Sequence, residues 1–513
     1  WLNDQITDSL SRLVLMCLEK DPERRYQSAE DLLSALINFT EEKVRIADKE
    51  EKKASIAVLP FTNMSADPEQ EYFCDGISED IINSLTQIND LRVVARTSAF
   101  SFKGKSVDIE EIGRKLKVDK ILEGSVRKAG NRLRITAQLI NVADGYHLWS
   151  EQYNRDLEDV FAIQDEITQA IVEKLKVKLL RKEKESIAKR YKEDAEAYNL
   201  YLKGMYFVSM VTARGYEEAT KCFQKALQID PNYALVYCGL AKILMWSTYF
   251  ENMPPNKGFP RAREYIKKAL EIDNTLAEAH TWMGYIHTFY DWNWKEAERE
   301  HKLALELNPN SVEVHLWYSQ FLTVTEQHEK AMRAAKRAQE LDPLSSQNNM
   351  VAAQAIFYAR QYDRAIEEAK TALKIDDFYG LRYVLGHCYQ GKSMFVEATE
   401  EFKKAIKLSG RATVLVTWLA ITYYKVGKKV EAEKLFESLE KRLRVEYVPS
   451  TCFFCIHLAR GEEDKALEWL ERACKEHDVI LSWLRVVPVD LLRIPDESKY
   501  QDLLKKYGLE KYS

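Results

Sequence analysis

The sequence predicts a mainly helical chain: an α–α superhelix preceded by a small α/β domain. Three observations carry this reading. An alanine-centred pattern recurs about every 34 residues through residues 195–475. A strand-and-helix rhythm with two short turn signals fills residues 54–160. Ahead of that rhythm runs "EEKVRIADKEEKK", in which ten of thirteen side chains are charged. A run of this kind is a solvated segment, so residues 40–53 are assigned as a charged linker.

Composition bounds the function. A length of 513 residues fits about three domains. Apolar content of 46% and charged content of 30% describe an ordinary globular chain. A net charge of −5 argues against nucleic acid and against an anionic membrane as partners. Apolar runs such as "SIAVLPF" are far too short to span a bilayer. The eight cysteines form no framework, so reduced thiols and a cytoplasmic bacterial location are expected. The chain begins at Trp1 without a Met, which is read as a truncated start and leaves export open.

In the N-terminal stretch, Leu10, Leu13, Val14, Cys17 and Leu18 recur at helical spacing. Asp21-Pro22 ends that helix, because the residue before a proline is pushed out of the helical region. Ser28 and Asp31 have the spacing of a capping box and open a second helix. The letters "CLEKDPERRYQSAEDLL" resemble the closing segment of bacterial serine/threonine protein kinases. The resemblance implies that residues 1–39 are a remnant of kinase C-lobe helices, with Arg25 as the arginine that meets a glutamate of the activation segment. The Gly-rich loop, the strand lysine, the H-R-D loop and the D-F-G aspartate do not occur in this chain. Those groups position and neutralise the transferred phosphoryl. The chain is therefore not expected to be an enzyme or to hold a cofactor, while its parent polypeptide is expected to be a kinase.

Within residues 54–160, "SIAVLPF" and "LRVVA" are strand-like, and "GISEDIINSLTQI" and "DIEEIGRKL" are helical. "KILEGSVRK", "RLRITAQLINV" and "YHLWSEQY" follow, joined at Gly130-Asn131 and Asp144-Gly145. Both dipeptides suit two-residue hairpins, so a three-stranded antiparallel meander is predicted. The stretches "IAVLPFTNMSADPEQEYFCDGISEDIINSL" and "VDKILEGSVRKAGNRLRITAQLINVADGYHLWSEQYNRDLEDVFAIQDEI" resemble the TolB-like, or FlgO-like, domain. That resemblance implies a small α/β layer and no established chemistry.

The repeat is centred on Ala219, Ala262, Ala297, Ala331, Ala365, Ala398, Ala432 and Ala466, at intervals of 43, 35, 34, 34, 33, 34 and 34. Phe223 and Ala226, like Phe402 and Ala405, follow four and seven residues later. Gly204, Gly239, Gly284 and Gly386 sit at a close-packing position on first helices, and Pro231, Pro309 and Pro343 end second helices. This pattern resembles the tetratricopeptide (TPR) repeat, whose period is about 34 residues. About eight helix pairs are expected, each stacking on its neighbours because a single pair cannot bury its apolar face. The 43-residue interval is read as an inserted loop near "STYFENMPPNKG". Residues 161–194 are assigned as a connecting helix, and 476–513 as a capping segment ending in a helix over 499–507.

Catalytic motifs are weak. "KGKS" at 103–106 has Ala99 where a phosphate-binding loop needs its first glycine. "HEKAM" at 328–332 has Met332 in place of a second metal ligand. "CFFC" at 452–455 is a single C-x-x-C on an apolar helix, and the nine histidines are dispersed, so no metal site is expected.

In the TPR family, first helices line the concave face. Carried onto this chain, that places Glu278, Thr281, Tyr285, Gln320, Gln347, Gln354, Tyr358, Tyr383, His387, Gln390 and Tyr424 in a partner groove. Tyrosine and glutamine suit a protein or peptide partner, such as an extended peptide or a helix. Trp246, Tyr249, Phe250, Met253 and Phe259 are read as an exposed apolar loop for self-assembly. Head-to-tail contacts of that kind form rings or filaments. The expected function is a non-catalytic protein–protein interaction scaffold, the regulatory region of a bacterial signalling kinase. The alternatives are the sensor arm of an active serine/threonine kinase and a self-assembling structural protein.

Overall fold

The structure is a computed structural model describing residues 16–18, 21, 25, 26, 28, 31–33, 53–67, 70–177, 194–249, 253–410, 412–487, 492 and 497–509. The chain divides into two compact units, Trp1–Ala54 and Ser55–Ser513. In the first, the Ser28 hydroxyl accepts from the Asp31 amide at 3.0 Å, and residues 31–33 are helical. The cap read from the sequence is therefore present. Leu10, Leu13, Val14 and nearly all of the charged linker lie outside the described residues.

The second unit opens with a sheet. Its strands are β1 (Ala54–Val58), β2 (Thr62–Asn63), β3 (Leu91–Val93), β4 (Lys120–Ala129), β5 (Arg132–Asn141) and β6 (His147–Asp156). They run in the order β3-β1-β4-β5-β6, with β2 also beside β4. β1 and β2 are parallel to β4, while β4, β5 and β6 form the antiparallel meander. Gly130 and Gly145 make the turns at φ 59° and 69°, a region that favours glycine.

Helices α1 (Glu71–Thr86), α2 (Arg96–Phe100), α3 (Ile109–Leu116) and α4 (Val160–Lys174) accompany the sheet. α1 buries Phe73, Ile77, Ile81 and Leu85, a stripe at helical spacing. α4 buries Ile163, Ile167 and Ile171 and packs on α1, β5 and β6. The segment assigned as a connector from residue 161 thus begins as a layer of the α/β domain, because its own apolar stripe needs a surface to cover. Residues 178–193 are outside the described set.

Eight helix pairs follow among the described residues. They are α5 (Ala195–Ser209) with α6 (Ala213–Ile229), α7 (Ala234–Tyr249) with α8 (Pro255–Ile272), and α9 (Ala277–Phe289) with α10 (Trp294–Leu307). Next come α11 (Val312–Val324) with α12 (His328–Leu341), α13 (Ser346–Tyr358) with α14 (Tyr362–Ala372), and α15 (Tyr379–Gly391) with α16 (Phe395–Ser409). The last two are α17 (Thr413–Lys425) with α18 (Lys429–Leu443), and α19 (Ser450–Arg460) with α20 (Glu463–Glu476). All eight repeat alanines lie on second helices with no exposed surface. The protein is a TPR-type α–α superhelix preceded by a small α/β domain.

Packing explains the repeat letters. A methyl group on Gly204 would stand 2.3 Å from the Phe223 ring, and one on Gly239 2.6 Å from it. Phe223 is therefore clasped between first helices of successive pairs, where only glycine fits. The 43-residue interval is not mainly a loop. α8 begins seven residues before Ala262, with Pro255 in its first turn, whereas α10 begins three before Ala297.

The C-terminal segment divides. α21 (Leu481–Leu484) turns back over the first helices, and α22 (Glu497–Lys506) packs on α20. Tyr500 and Leu504 are buried there, and Tyr500 stacks on Phe454 at 5.9 Å. α22 thus covers the last repeat, as a solenoid end requires.

Candidate functional site

Two crevices are lined in part by first helices. The first opens between α1 and α5 and is lined by Tyr72, Asp75, Glu79, Asp80, Arg96, Tyr201 and Tyr206 among others. α1 is held against α5 by Tyr72, whose hydroxyl donates to Asn199 at 3.0 Å, and by Leu202 filling the space over Gly76. Asp80 accepts from the Tyr198 hydroxyl and from Gln164 at 3.1 Å. Glu79 pairs with Arg96 at 3.0 Å.

Charge is concentrated around this crevice. Asp75 is 5% exposed and is met by the Lys103 ammonium at 2.6 and 2.7 Å. Burial raises the Asp75 pKa, and the Lys103 hydrogen bond opposes that rise only in part. "KGKS" is thus an ion-pair site: its Lys103 is committed to Asp75 and to Glu71 at 2.8 Å. On the first helices, Lys242 of α7 lies 3.1 Å from Glu313 of α11 and 3.8 Å from Glu278 of α9. Burial works against the Lys242 charge, yet the two carboxylates lift its pKa. Burial raises that of Glu278 against the pull of Lys242.

The second crevice runs along α13, α15, α17 and α19. Tyr358, Tyr383, Val414 and Trp418 form one wall, and Ile480, Trp483 and Leu484 of the C-terminal segment form the other. Trp483 stacks on Phe289 at 5.8 Å and on Tyr358 at 5.4 Å. Ser482 donates to the Thr288 carbonyl at 3.1 Å, and Arg485 approaches the Val324 carbonyl at 3.5 Å. Both carbonyls belong to the last turns of first helices, where intrahelical partners run out and a cation is favoured.

The structure reassigns much of the groove read from the sequence. Thr281, Tyr285, Gln320, Tyr358, His387 and Gln390 are buried. Tyr285 packs among Trp282, Phe289 and Trp317, and Gln390 donates to Thr422 at 2.6 Å. His387 sits among Phe357, Tyr383, Phe402 and Trp418, and burial takes its pKa down to about 3. These side chains face one another between repeats, so they are core. Glu278, Gln347, Gln354, Tyr383 and Tyr424 keep partial exposure.

The assembly loop is corrected as well. Phe259 is fully buried, stacked on Tyr285 and Tyr290, and Trp246 packs on Trp282 and Trp317. Met253 is partly buried; Phe250 and the Tyr249 side chain lie outside the described residues. Trp246, Met253 and Phe259 thus fill the fold rather than offer an exposed patch.

Arg96, Lys242, Glu313, Tyr201, Tyr206 and Trp483 were not singled out in the sequence. Lys242 and Glu313 lie on different helices with no shared motif, and Trp483 falls where the repeat period has stopped. No group of three or more potential metal ligands, and no helix long and apolar enough to cross a membrane, occurs among the described residues.

Residues 51–190 match the family model described as HilA/YgeH-like transcriptional regulator, second domain, and residues 215–245 match that of the TPR repeat. A curated protein of Rhizobium meliloti (strain 1021), "Putative adenylate cyclase 3", is 49% identical over 193 residues. That stretch is 38% of this chain and spans about a third, 33%, of the relative's length. Among solved structures, Pseudomonas aeruginosa pilF is 18% identical with a TM-score of 0.32, covering 42% of this chain and 93% of its own. Yeast Tom70 is 16% identical with a TM-score of 0.40, covering 68% of this chain and 82% of its own.

Proposed function

We propose that this chain is a non-catalytic protein–protein interaction scaffold, the partner-binding region of a bacterial signalling protein. The observation that carries the reading is the first crevice, where half-buried Tyr72 and Tyr206 stand beside Asp75, Glu79 and Asp80 between the α/β domain and the first helix pair. Tyrosine supplies contact area with few torsions to freeze. Three carboxylates against Arg96 and Lys103 favour a partner segment bearing lysine or arginine. The relatives add support: the α/β stretch resembles a domain of transcriptional regulators, and the curated relative is named as a cyclase. The TolB-like resemblance concerns the same stretch and fits the same role.

Kinase output is a finer reading, supported by the letters of residues 17–36 alone. Sequence upstream of Trp1 that encodes H-R-D and D-F-G would establish it, and a start codon directly before Trp1 would remove it.

The scaffold reading is tested by placing a photo-crosslinking residue at Tyr206 in the full chain, with a control at Val396, which is 76% exposed on a second helix. A discrete crosslinked protein at Tyr206 and none at Val396 is expected. The same products at both positions would end the groove assignment.

A further inference from the structure

We propose that residues 477–487 form an intramolecular strap that occupies the C-terminal half of the concave face and must be displaced before an apolar helical peptide can seat there. The proposal deepens the scaffold reading and rests on it. The strap is anchored at its start by Asp478, which is fully buried and accepts from the amides of Thr451 at 2.9 Å and Ile480 at 3.0 Å. Beside it His477, in a left-handed conformation at φ 52°, stacks on Tyr290 and Trp292 and donates Nδ1–H to the Tyr290 carbonyl at 2.7 Å. Beyond this anchor, one short turn inserts Leu481 and Leu484, both buried, and lays Trp483 between Phe289 and Tyr358. Arg485 then crosses the Trp294 ring at 4.8 Å.

This is how a bound helical peptide uses a groove, with apolar anchors in a pocket and polar groups on free carbonyls. The same segment therefore names the chemistry of the competitor: a helix with tryptophan and leucine anchors followed by a cation. The strap is tethered, so it competes at an effective concentration of about 1 mM. If the strap sequence itself binds the bare groove at about 10 µM, any competitor is then weakened about 100-fold. Between its anchor at Asp478 and the docked helix α22, Trp483, Arg485, Val486 and Val487 of the strap stay partly exposed beside the second crevice.

The test uses the full chain and a fluorescein-labelled peptide of residues 478–487, read by anisotropy. Trp483→Ala removes both stacks. Arg485→Glu sets a carboxylate against the Val324 carbonyl and is the milder release. Each variant is expected to bind the peptide at least tenfold more tightly than the natural chain, and Val414→Asp added to either is expected to abolish that gain. Melting curves confirm that the helix pairs remain folded. Equal peptide affinity in the natural chain and in both folded variants would overturn the strap. Failure of the scaffold reading looks different: the Tyr206 crosslink would be missing while the strap variants still gain peptide binding.

Discussion

Asp342 and Ser98, 244 positions apart, share one buried contact: the Asp342 carboxylate accepts from both the amide and the hydroxyl of Ser98, at 2.9 and 2.5 Å. Ser98 belongs to α2 of the α/β domain, and Asp342 follows α12 of the solenoid. Around them Ala95 donates to the Leu341 carbonyl at 2.9 Å, and Asn310 donates to the Ile88 carbonyl at 2.7 Å. Leu344 packs into the α/β core. The α/β domain is thus hydrogen-bonded to the turns between repeats, well beyond its covalent neighbour α5.

Asp342→Ala should loosen this seam. It leaves the buried Ser98 amide and Asn348 amide group without their acceptor, at a cost of about 3 kcal/mol. Calorimetry should show the single transition splitting, with the α/β domain melting first. One unsplit transition at the natural temperature would mean that the seam does not couple the two parts.

His280 and Glu300 set a pH dependence. His280 Nδ1 lies 2.5 Å from the Glu300 carboxylate while Nε2 faces the Asn274 carbonyl at 3.0 Å, so both nitrogens have acceptors. Burial lowers the His280 pKa, but these acceptors outweigh it and hold it above the ordinary 6.5. Burial raises that of Glu300, but His280 and Arg299 outweigh it and hold it below 4.5. The histidine contribution is therefore whole below pH 6.5 and is lost as pH climbs through the raised value. The glutamate contribution is present above pH 4.5 and is lost as pH falls through the lowered one. His280→Gln should cost about 2 kcal/mol near pH 5.5 and much less at pH 9. Denaturant midpoints across that range measure it, and a gap that stays constant or widens toward pH 9 would refute the charged pair.

The groove residues now separate by stability. Tyr285 and Tyr358 are 3% and 5% exposed. Each Tyr→Ala change should cost about 3–5 kcal/mol through the cavity it leaves. Tyr383 keeps partial exposure, and its removal should cost roughly 1 kcal/mol. Equal melting temperatures for all three single variants would contradict the packing.

These outcomes show which parts of the molecule the sequence could reveal. The repeat alanines and glycines were legible because helices in close contact tolerate only small residues there, at a fixed period. The meander was legible from Gly130 and Gly145. The strap was not, because residues 477–487 follow no period and their apolar letters look like any end cap. The groove was misassigned because a tyrosine on a first helix suits either solvent or a neighbouring repeat, and only the positions of Trp317 and Trp483 decide which.

The cysteines predict their own reactivity. Burial pushes the thiols of Cys74, Cys388 and Cys474 up to about 12, and Cys452 and Cys455 of the C-x-x-C are buried on α19. Thiolate is the reactive form, so these should resist Ellman's reagent while exposed Cys17 reacts fast. Denaturation should bring the count to all eight. Rapid native labelling at Cys452 or Cys455 would revive a redox role for the pair.

Gly204→Ala sets two effects against each other. Alanine is the better helix former by about 1 kcal/mol. Its methyl, however, would stand 2.3 Å from the Phe223 ring, which cannot retreat because the opposite helix is so close at Gly239 that a methyl there would stand only 2.6 Å from the same ring. Phe223 has no exposed surface into which it could swing. Overpacking of a closed site costs about 1–3 kcal/mol, so the substitution should destabilise. Adding Phe223→Leu makes room and should recover part of the loss, a coupling that a local backbone effect at residue 204 would not give. Urea midpoints of the two single variants and the double variant read the cycle. A Gly204→Ala chain as stable as the natural one would show that the first two helix pairs are not clasped on Phe223.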